Sequence, residues 1–338
     1  MSISGVGASN LYAIAETSYG AVPSITTGNV LNIAVRPGAI PSESTSRVSG
    51  RVVGGFTDRG RTHRVRSTVA GTFSFNIGNN STNSNKIHEM AGVSANSGST
   101  YDDQYSNLKS YSMWLPMIEE GATPAGVAIS GLLFNGMMVS QYTISLPNDN
   151  SLIDCSLGFV GRNIVDDSLG GTVSSNWTSI ANSDDIKQVG QPFETWTAAI
   201  QYDGVSLSVS SFSINIANTL TPASFVTSGK YIGKPTPSMR NVTGSFSVPY
   251  SSDATAGGYK GLLNRVLADA TNPDQLTIVA KSTRDTTKAI TITMPEVEII
   301  TGQTVNNLSP GYVPMSFSFK AFGSQSSNTD QEINIVNT

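Results

Sequence analysis

At 338 residues the chain is long enough for two domains of ordinary size, and only 13% of its residues are charged. Its net charge of −4 argues against a protein that grips nucleic acid, because contacts to phosphates need a basic surface. The single cysteine excludes an intramolecular disulfide, and the 2 histidines supply too few ligands for a Cys/His zinc site.

Short runs that alternate apolar residues with Ser, Thr and Asn are spread along the whole chain, which predicts a mainly β fold with many turns. The first residues lack the basic and apolar regions of a secretory signal, and no apolar run approaches the roughly 20 residues that span a bilayer. We therefore expect a soluble protein that folds in a cytosol.

The chain opens with a small, polar segment over residues 1–28, for which we expect an extended arm that is not packed. A short strand follows over residues 30–35 and is stopped by Pro37 and Gly38. Residues 41–66 then read as a long Gly/Ser/Arg loop, and loops of this length tend to be functional or disordered.

Six arginines lie in this loop, and from the first of them to the last, over residues 47–66, the one acidic residue is Asp58. They are Arg47, Arg51, Arg59, Arg61, Arg64 and Arg66. The loop is either a solvated basic surface or an arm that docks on an acidic neighbour, and we favour the arm. Direct contact with nucleic acid is disfavoured, because Phe56 is the only aromatic residue among these arginines.

Residues 67–77 and 240–250 repeat one pattern. With Gly71 aligned on Gly244, the large apolar residues of both stretches share one parity, and Ser, Thr, Asn or Pro fill the other. This pattern is typical of a strand with one buried face and one wet face. Because the copies are about half a chain apart, we predict two copies of one domain. The first covers residues 1–170 with the N-terminal arm and the Arg-rich loop, and the second covers residues 171–338 with a short C-terminal tail.

Between the two copies we predict a helix over 83–93, a strand over 110–118, a hairpin over 127–146 and a strand over 151–160. The hairpin would turn at Asn135-Gly136, because Asn-Gly favours a type I′ turn. The last strand puts Cys155 on its apolar face, which predicts a core thiol. A polar segment over 166–191 reads as the linker between the domains.

The second half begins with a hairpin over 196–216 that turns at Asp203-Gly204 and bends near Ser210. A long loop over 219–237 precedes the second copy of the strand, and a helix over 253–270 follows it, as in the first half.

Strands are then predicted over 275–281, 288–300 and 312–323. The apolar parity of the second switches at Pro295, which predicts a bulge or an edge and leaves Glu296 and Glu298 on one face.

The sequence shows no catalytic constellation. It has no Gly-x-Ser-x-Gly elbow, no P-loop and no dinucleotide-binding glycine pattern, and its adjacent aspartates lie in contexts typical of turns. We therefore predict a protein that is not an enzyme and that needs no metal and no cofactor.

One ordered set of motifs resembles a known family. Ala15-Glu-Thr-Ser-Tyr-Gly is followed by Pro23, the Arg loop and the Val-x-Gly-x-Phe strand, and the second half adds Phe212-Ser-Ile-Asn-Ile and Met315-Ser-Phe-Ser-Phe. Over roughly residues 12–325 this order is similar to the two-domain major tail tube proteins of long-tailed, siphovirus-like bacteriophages. No single motif is specific, so the resemblance lies in the order.

The resemblance implies two tandem tail-tube β-sandwich or barrel domains, each with one flanking helix. It implies trimeric rings with pseudo-sixfold symmetry, stacked into a tube that carries DNA without specific binding. Partners would be further copies of the chain and the tape measure, terminator and baseplate or tip proteins. The chain would belong to the virion tail and be assembled in the host cytoplasm.

On this basis we expect two hairpins, over 127–146 and 288–302, to line the lumen, with Glu296 and Glu298 as lumen carboxylates, and the six arginines to form an inter-ring contact. An alternative is another tail subunit, such as a terminator, baseplate or adhesin protein. A third possibility is a carbohydrate-binding or hydrolytic β protein, which Trp177 and Trp196 would suggest.

Overall fold

A computed structural model describes the chain over residues 10–24, 26, 30–36, 40–49, 62–93, 108–117, 130–147, 152–166, 190–223, 231–250, 258–267, 274–302, 314–323 and 332–338. Within these ranges the protein is mainly β, as predicted, with a 16-stranded antiparallel sheet and two helices.

The first half holds eight strands and one helix. They are β1 Asn10–Ala15, β2 Leu31–Ala34, β3 Ser42–Ser49, β4 Thr62–Asn76, α1 Ser81–Met90, β5 Tyr111–Met117, β6 Ser130–Leu146, β7 Asp154–Gly161 and β8 Asn163–Asp166. The second half holds the same number of elements. They are β9 Ala198–Tyr202, β10 Val205–Ser206, β11 Ser211–Ala223, β12 Gly233–Pro249, α2 Tyr259–Leu267, β13 Asp274–Lys281, β14 Ala289–Gly302, β15 Pro314–Phe322 and β16 Asn334–Asn337.

Both halves have the same topology. The first runs β2-β1-β5-β6-β7-β4-β3, with β8 on β6, and the second runs β10-β9-β13-β14-β15-β12-β11, with β16 on β14. In each half the helix follows the fourth strand. The strand order of the first half thus recurs element by element in the second half.

The repeated strand has the same pairing in both halves. Gly71 in β4 lies opposite Phe159 in β7, and Gly244 in β12 lies opposite Phe319 in β15. At Gly244 a Cβ atom would collide with the Phe319 ring and the Ser213 carbonyl oxygen, so glycine is needed for close approach. The phenylalanines two residues after each glycine are buried, as the alternation predicts.

The predicted hairpin at 127–146 is wrong, because β6 is one continuous strand. Tyr111 pairs with Met137 and Met113 with Phe134, so β6 carries one extra residue across from β5. Gly136 in this bulge has φ of 68°, the left-handed region that glycine favours. The Asn-Gly dipeptide therefore makes a bulge here and not a chain reversal.

A second bulge lies at the corresponding place in β14. Asp274 pairs with Val297 and Leu276 with Met294, so the extra residue falls at the predicted parity switch beside Pro295. Since β14 is also one continuous strand, the segment 288–302 is not a hairpin either. In both strands the apolar residues change parity along the sequence. The extra residue of each bulge compensates for this change, so the apolar side chains stay on one buried face.

The carboxylate of Glu16 holds the first of these bulges in place. Glu16 Oε1 accepts hydrogen bonds from Gly136 N at 2.9 Å and from Ser112 Oγ at 2.7 Å, and Oε2 accepts one from Gly20 N at 2.7 Å. The Glu-Thr-Ser-Tyr-Gly motif of the sequence is therefore a structural turn clamped to β6.

Several segments expected to be irregular are strands. Residues 10–15 of the predicted arm form β1, in which Leu11 to Ile14 are buried. The predicted loop at 41–66 contains β3 and the start of β4, and the loop at 219–237 contains parts of β11 and β12, so each is a long antiparallel ladder where it is described. The expected C-terminal tail contains β16.

Other predicted elements are confirmed. Asp203 and Gly204 both have positive φ, of 53° and 69°, as a type I′ turn between β9 and β10 requires. The two helices lie inside the predicted ranges apart from two residues at the start of α1, and the Asn80 side chain caps α1 by accepting from Asn83 N at 3.2 Å. Most of the predicted linker, residues 167–189, lies outside the described residues.

Candidate assembly site

The two halves are joined by a continuous sheet. The last part of β6 pairs antiparallel with β11, from Leu146 opposite Phe212 to Gln141 opposite Ala217. The other edge of this part of β6 pairs with β7 of its own half. From Gln141 to Ser145, β6 therefore has a strand on each side, so this stretch has no open edge.

Helix α1 of the first half packs against β16 of the second half. Asn85 Nδ2 donates to the Asn337 carbonyl oxygen at 3.1 Å, and Asn337 N donates to Asn85 Oδ1 at 2.8 Å. Ile335 N donates to the Val93 carbonyl oxygen at 2.9 Å. Since β16 is also paired with β14, the C-terminal strand ties the second sheet to the first helix.

A third contact closes the end of α1. The buried side chain of Asn218, in β11, donates from Nδ2 to the carbonyl oxygens of Ala91 at 3.3 Å and Val139 at 3.1 Å. The Ala91 carbonyl lies at the helix C-terminus, where carbonyl groups lack intrahelical partners. We refer to the β6–β11 ladder, the α1–β16 contact and Asn218 together as the internal junction.

A buried polar cluster lies beside the internal junction. His88 Nε2 is 3.3 Å from Asn337 Oδ1, and His88 Nδ1 is 3.2 Å from the Tyr142 hydroxyl, which is 3.8 Å from Cys155 Sγ. A neutral imidazole that donates from Nε2 and accepts at Nδ1 satisfies both of its contacts.

Burial lowers the pKa of His88 to about 4 and raises the pKa of Cys155 to about 12. Burial also raises the pKa of Tyr142 well above its usual value. All three side chains are therefore neutral near pH 7. Cys155 is a core thiol, as predicted, with little thiolate to act as a nucleophile. Through His88, the cluster joins helix α1 to β6 at Tyr142 and to β16 at Asn337.

Only part of the predicted arginine-rich loop, residues 41–66, lies in the described residues. Arg47 in β3 pairs in register with Arg64 in β4, and Ser46 pairs with Arg66. Arg51, Arg59 and Arg61 lie outside the described residues. The structure thus brings three of the six arginines together on one hairpin.

Glu296 and Glu298 are on β14, just after its bulge. Glu298 is exposed and lies opposite Lys320 of β15, and Glu296 is partly buried and lies opposite Phe322. The two carboxylates alternate with buried Val297, as the sequence predicts, and an opposite charge faces one of them.

Within the described residues, no group of three or more His, Cys, Asp or Glu side chains comes together as a metal site. Trp196 is 63% exposed beside a groove next to β9 and β11, and Trp177 lies outside the described residues. None of the described helices is long and apolar enough to cross a membrane.

The residues of the internal junction were not singled out from the sequence. Asn85, Asn218 and Asn337 are three asparagines among many, and their partners are far away in the chain. The one available signal was the alternation of Ile333 and Ile335 before Asn337, which is typical of a short strand with one buried face.

These features define a class, a β-rich structural protein built from a repeated unit whose halves join edge to edge. The chain matches the family model described as phage tail tube protein over residues 8–321. It therefore belongs to the phage tail tube protein family. A search of the curated proteins found no match. Membership makes the chain a structural protein of the bacteriophage virion, and the family implies self-assembly into a tube.

Proposed function

We propose that the protein polymerises as stacked rings into the phage tail tube, the conduit for DNA delivery into the host. The observation that carries this proposal is the repeated strand order of the two halves, joined by the internal junction. A repeated unit with an edge on each side can extend its sheet to further copies, and closure of a barrel removes open edges altogether.

Each ring would hold three chains and six repeated units, which gives pseudo-sixfold symmetry. The two units would be tail-tube domains over residues 1–170 and 171–338, each a sandwich or barrel with one flanking helix. The repeat of all nine elements supports this division.

The lumen would be lined by β6 and β14, the strands that occupy equivalent places in the two halves. Glu296 and Glu298 are the proposed lumen carboxylates. An acidic wall repels DNA phosphates and a neutral wall does not attract them, so either lets the genome slide, whereas a basic wall would hold it. The net charge of −4 agrees with passage of DNA without specific binding.

The hairpin of β3 and β4 would form the contact between rings, through Arg47, Arg64, Arg66 and the three arginines between them. Like charges directly opposite each other in a ladder are unfavourable, and Arg47 is paired in register with Arg64. An acidic surface on the next ring would supply the counter-charge, which supports a docking role.

Within the virion tail, the partners would be other copies of the chain, the tape measure protein, the terminator and the baseplate or tip proteins. Assembly would take place in the host cytoplasm. Electron microscopy of the purified protein tests the proposal. Hollow tubes support it, whereas monomers, or closed rings that never stack, contradict it and favour another tail subunit such as a terminator.

A further inference from the structure

The two halves contribute elements that are not equivalent to each other at the internal junction. The first half contributes β6 and α1, and the second half contributes β11 and β16. The repeated topology gives each of these a counterpart in the other half. The counterparts of β6 and α1 are β14 and α2, and those of β11 and β16 are β3 and β8.

Two of these counterparts, β3 and β8, belong to the first half, and the other two, α2 and β14, belong to the second half. In the described residues, β3 has β4 as its only strand partner and β8 has only β6, whereas β11 and β16 also contact the other half. The last part of β14 pairs with β15 alone there, whereas the last part of β6 pairs on both edges. Thus β14 and β3 each have an unpaired edge in the described residues, whereas their counterparts β6 and β11 use the same edge in the internal junction.

We propose that β14 and α2 of one copy bind β3 and β8 of the next copy, repeating the internal junction head to tail. This inference rests on the proposed self-assembly and adds the surface, its polarity and its register. Such a heterologous contact forms a ring when the rotation between copies closes.

The register of β14 in this contact follows from the first ladder of each half. Gln141 is the first residue of β6 that pairs with β7 after an irregularity in the pairing, and it lies opposite Ala217 across the internal junction. Thr301 has the same place in β14, because it is the first residue after the irregularity that pairs with β15. Thr301 is therefore the counterpart of Gln141.

The register of β3 follows from the repeated strand. Ala217 pairs with Asn241, three residues before Gly244, and Ser44 pairs with Thr68, three residues before Gly71. Ser44 is therefore the counterpart of Ala217. We infer that Thr301 lies opposite Ser44 of the next copy, and both residues are exposed in the single chain.

Exposed apolar side chains mark the same two surfaces. Leu267 at the end of α2 is 72% exposed and Ile300 in β14 is 51% exposed. On the opposite surface, Val165 in β8 is 40% exposed and Ile40, two residues before β3, is 39% exposed. These account for four of the seven large hydrophobic residues exposed in the described part of the chain, as expected for surfaces buried on assembly.

Engineered cysteines test the register. The native Cys155 is buried, so it adds little background reaction. On oxidation, the double variant T301C/S44C should form covalent multimers on a denaturing gel, and neither single variant should. T301C/S42C is the matched control, because Ser42 is exposed on the same face but two residues along, where the Cβ separation exceeds that of a direct pair.

An assembled T301C/S44C protein that does not cross-link would overturn the proposed register, and so would stronger cross-linking in T301C/S42C. If the parent protein forms tubes while these cysteines fail, the inference fails and the tube function stands. If the parent protein never associates, the tube function itself fails.

Charged substitutions test the polarity and do not depend on cysteine geometry. L267E/I300E spoils one surface and I40E/V165E spoils the other, and thermal unfolding checks that both variants fold. Sedimentation should find each variant monomeric, and an equimolar mixture should contain dimers and nothing larger, because one intact surface of each kind remains. Tubes from either variant alone, or a folded mixture that stays monomeric, would contradict the proposal.

Discussion

Asn85 and Asn337 exchange two hydrogen bonds across the internal junction, at 3.1 Å and 2.8 Å. We predict that N85A lowers the free energy of unfolding by about 1–3 kcal/mol, because the Asn337 backbone groups lose their partner side chain. Chemical denaturation measures this change. T82A, at an exposed position of the same helix, is the control and should change stability by less than about 0.5 kcal/mol. Equal stability of N85A and the parent would show that the contact is not stabilising.

His88 makes stability depend on pH. Its pKa is about 4 in the folded protein and near 6.5 when unfolded, so the unfolded state binds more protons between these values. The contribution of His88 to the free energy of unfolding is therefore fully present above pH 6.5. It is lost as the pH falls toward 4, which lowers the free energy of unfolding by about 3 kcal/mol. H88Q should remove that part of the slope when unfolding is followed from pH 7 to 4. Parallel curves for H88Q and the parent would contradict the assignment.

Gly244 tests the repeated strand. G244A should destabilise the protein by about 1–3 kcal/mol, because the new methyl group collides with Phe319 and with the Ser213 carbonyl oxygen. S245A changes the neighbouring exposed residue and serves as the control in thermal unfolding. If G244A is as stable as S245A, the close packing of β12 on β15 is not required.

These elements show what local pattern can predict. Strand alternation and the helical stripe depend on residues within one element, so the repeated strand and both helices were predictable. Asn135-Gly136 was misread because the same dipeptide suits a turn or a bulge, and the choice depends on pairing with β5. The strand β3, the end of β11 and the start of β12 were missed for a similar reason, since ladder pairing gives these polar segments a regular structure.

The internal junction could not be predicted in the same way. Asn85 and Asn337 are 252 residues apart, and hydrogen bonds between such residues leave no local pattern. The repeated strand could be recognised in the sequence, but which strand edges meet depends on the three-dimensional path of the sheet. The pairing of β6 with β11 therefore emerged only from the structure.

The hairpin of β3 and β4 tests the proposed contact between rings. Replacing residues 48–62 by Asn-Gly should leave folded protein that forms rings and no longer stacks them, because the docking arm is gone while Ser42 to Arg47 can still pair. Charge reversal in R47E/R64E should have the same effect if an acidic neighbour is the partner. Electron microscopy and sedimentation compare the species, and tubes of normal length from the deletion variant would exclude this role.

The most direct measurement of the central claim is the number of chains in one ring of the assembled protein. Electron microscopy of purified tubes, combined with the mass of a single ring, gives this number. We predict hollow tubes whose rings weigh three times 35.5 kDa and show six similar units in end-on view. Tubes with six chains per ring, or protein that stays monomeric, would contradict the account.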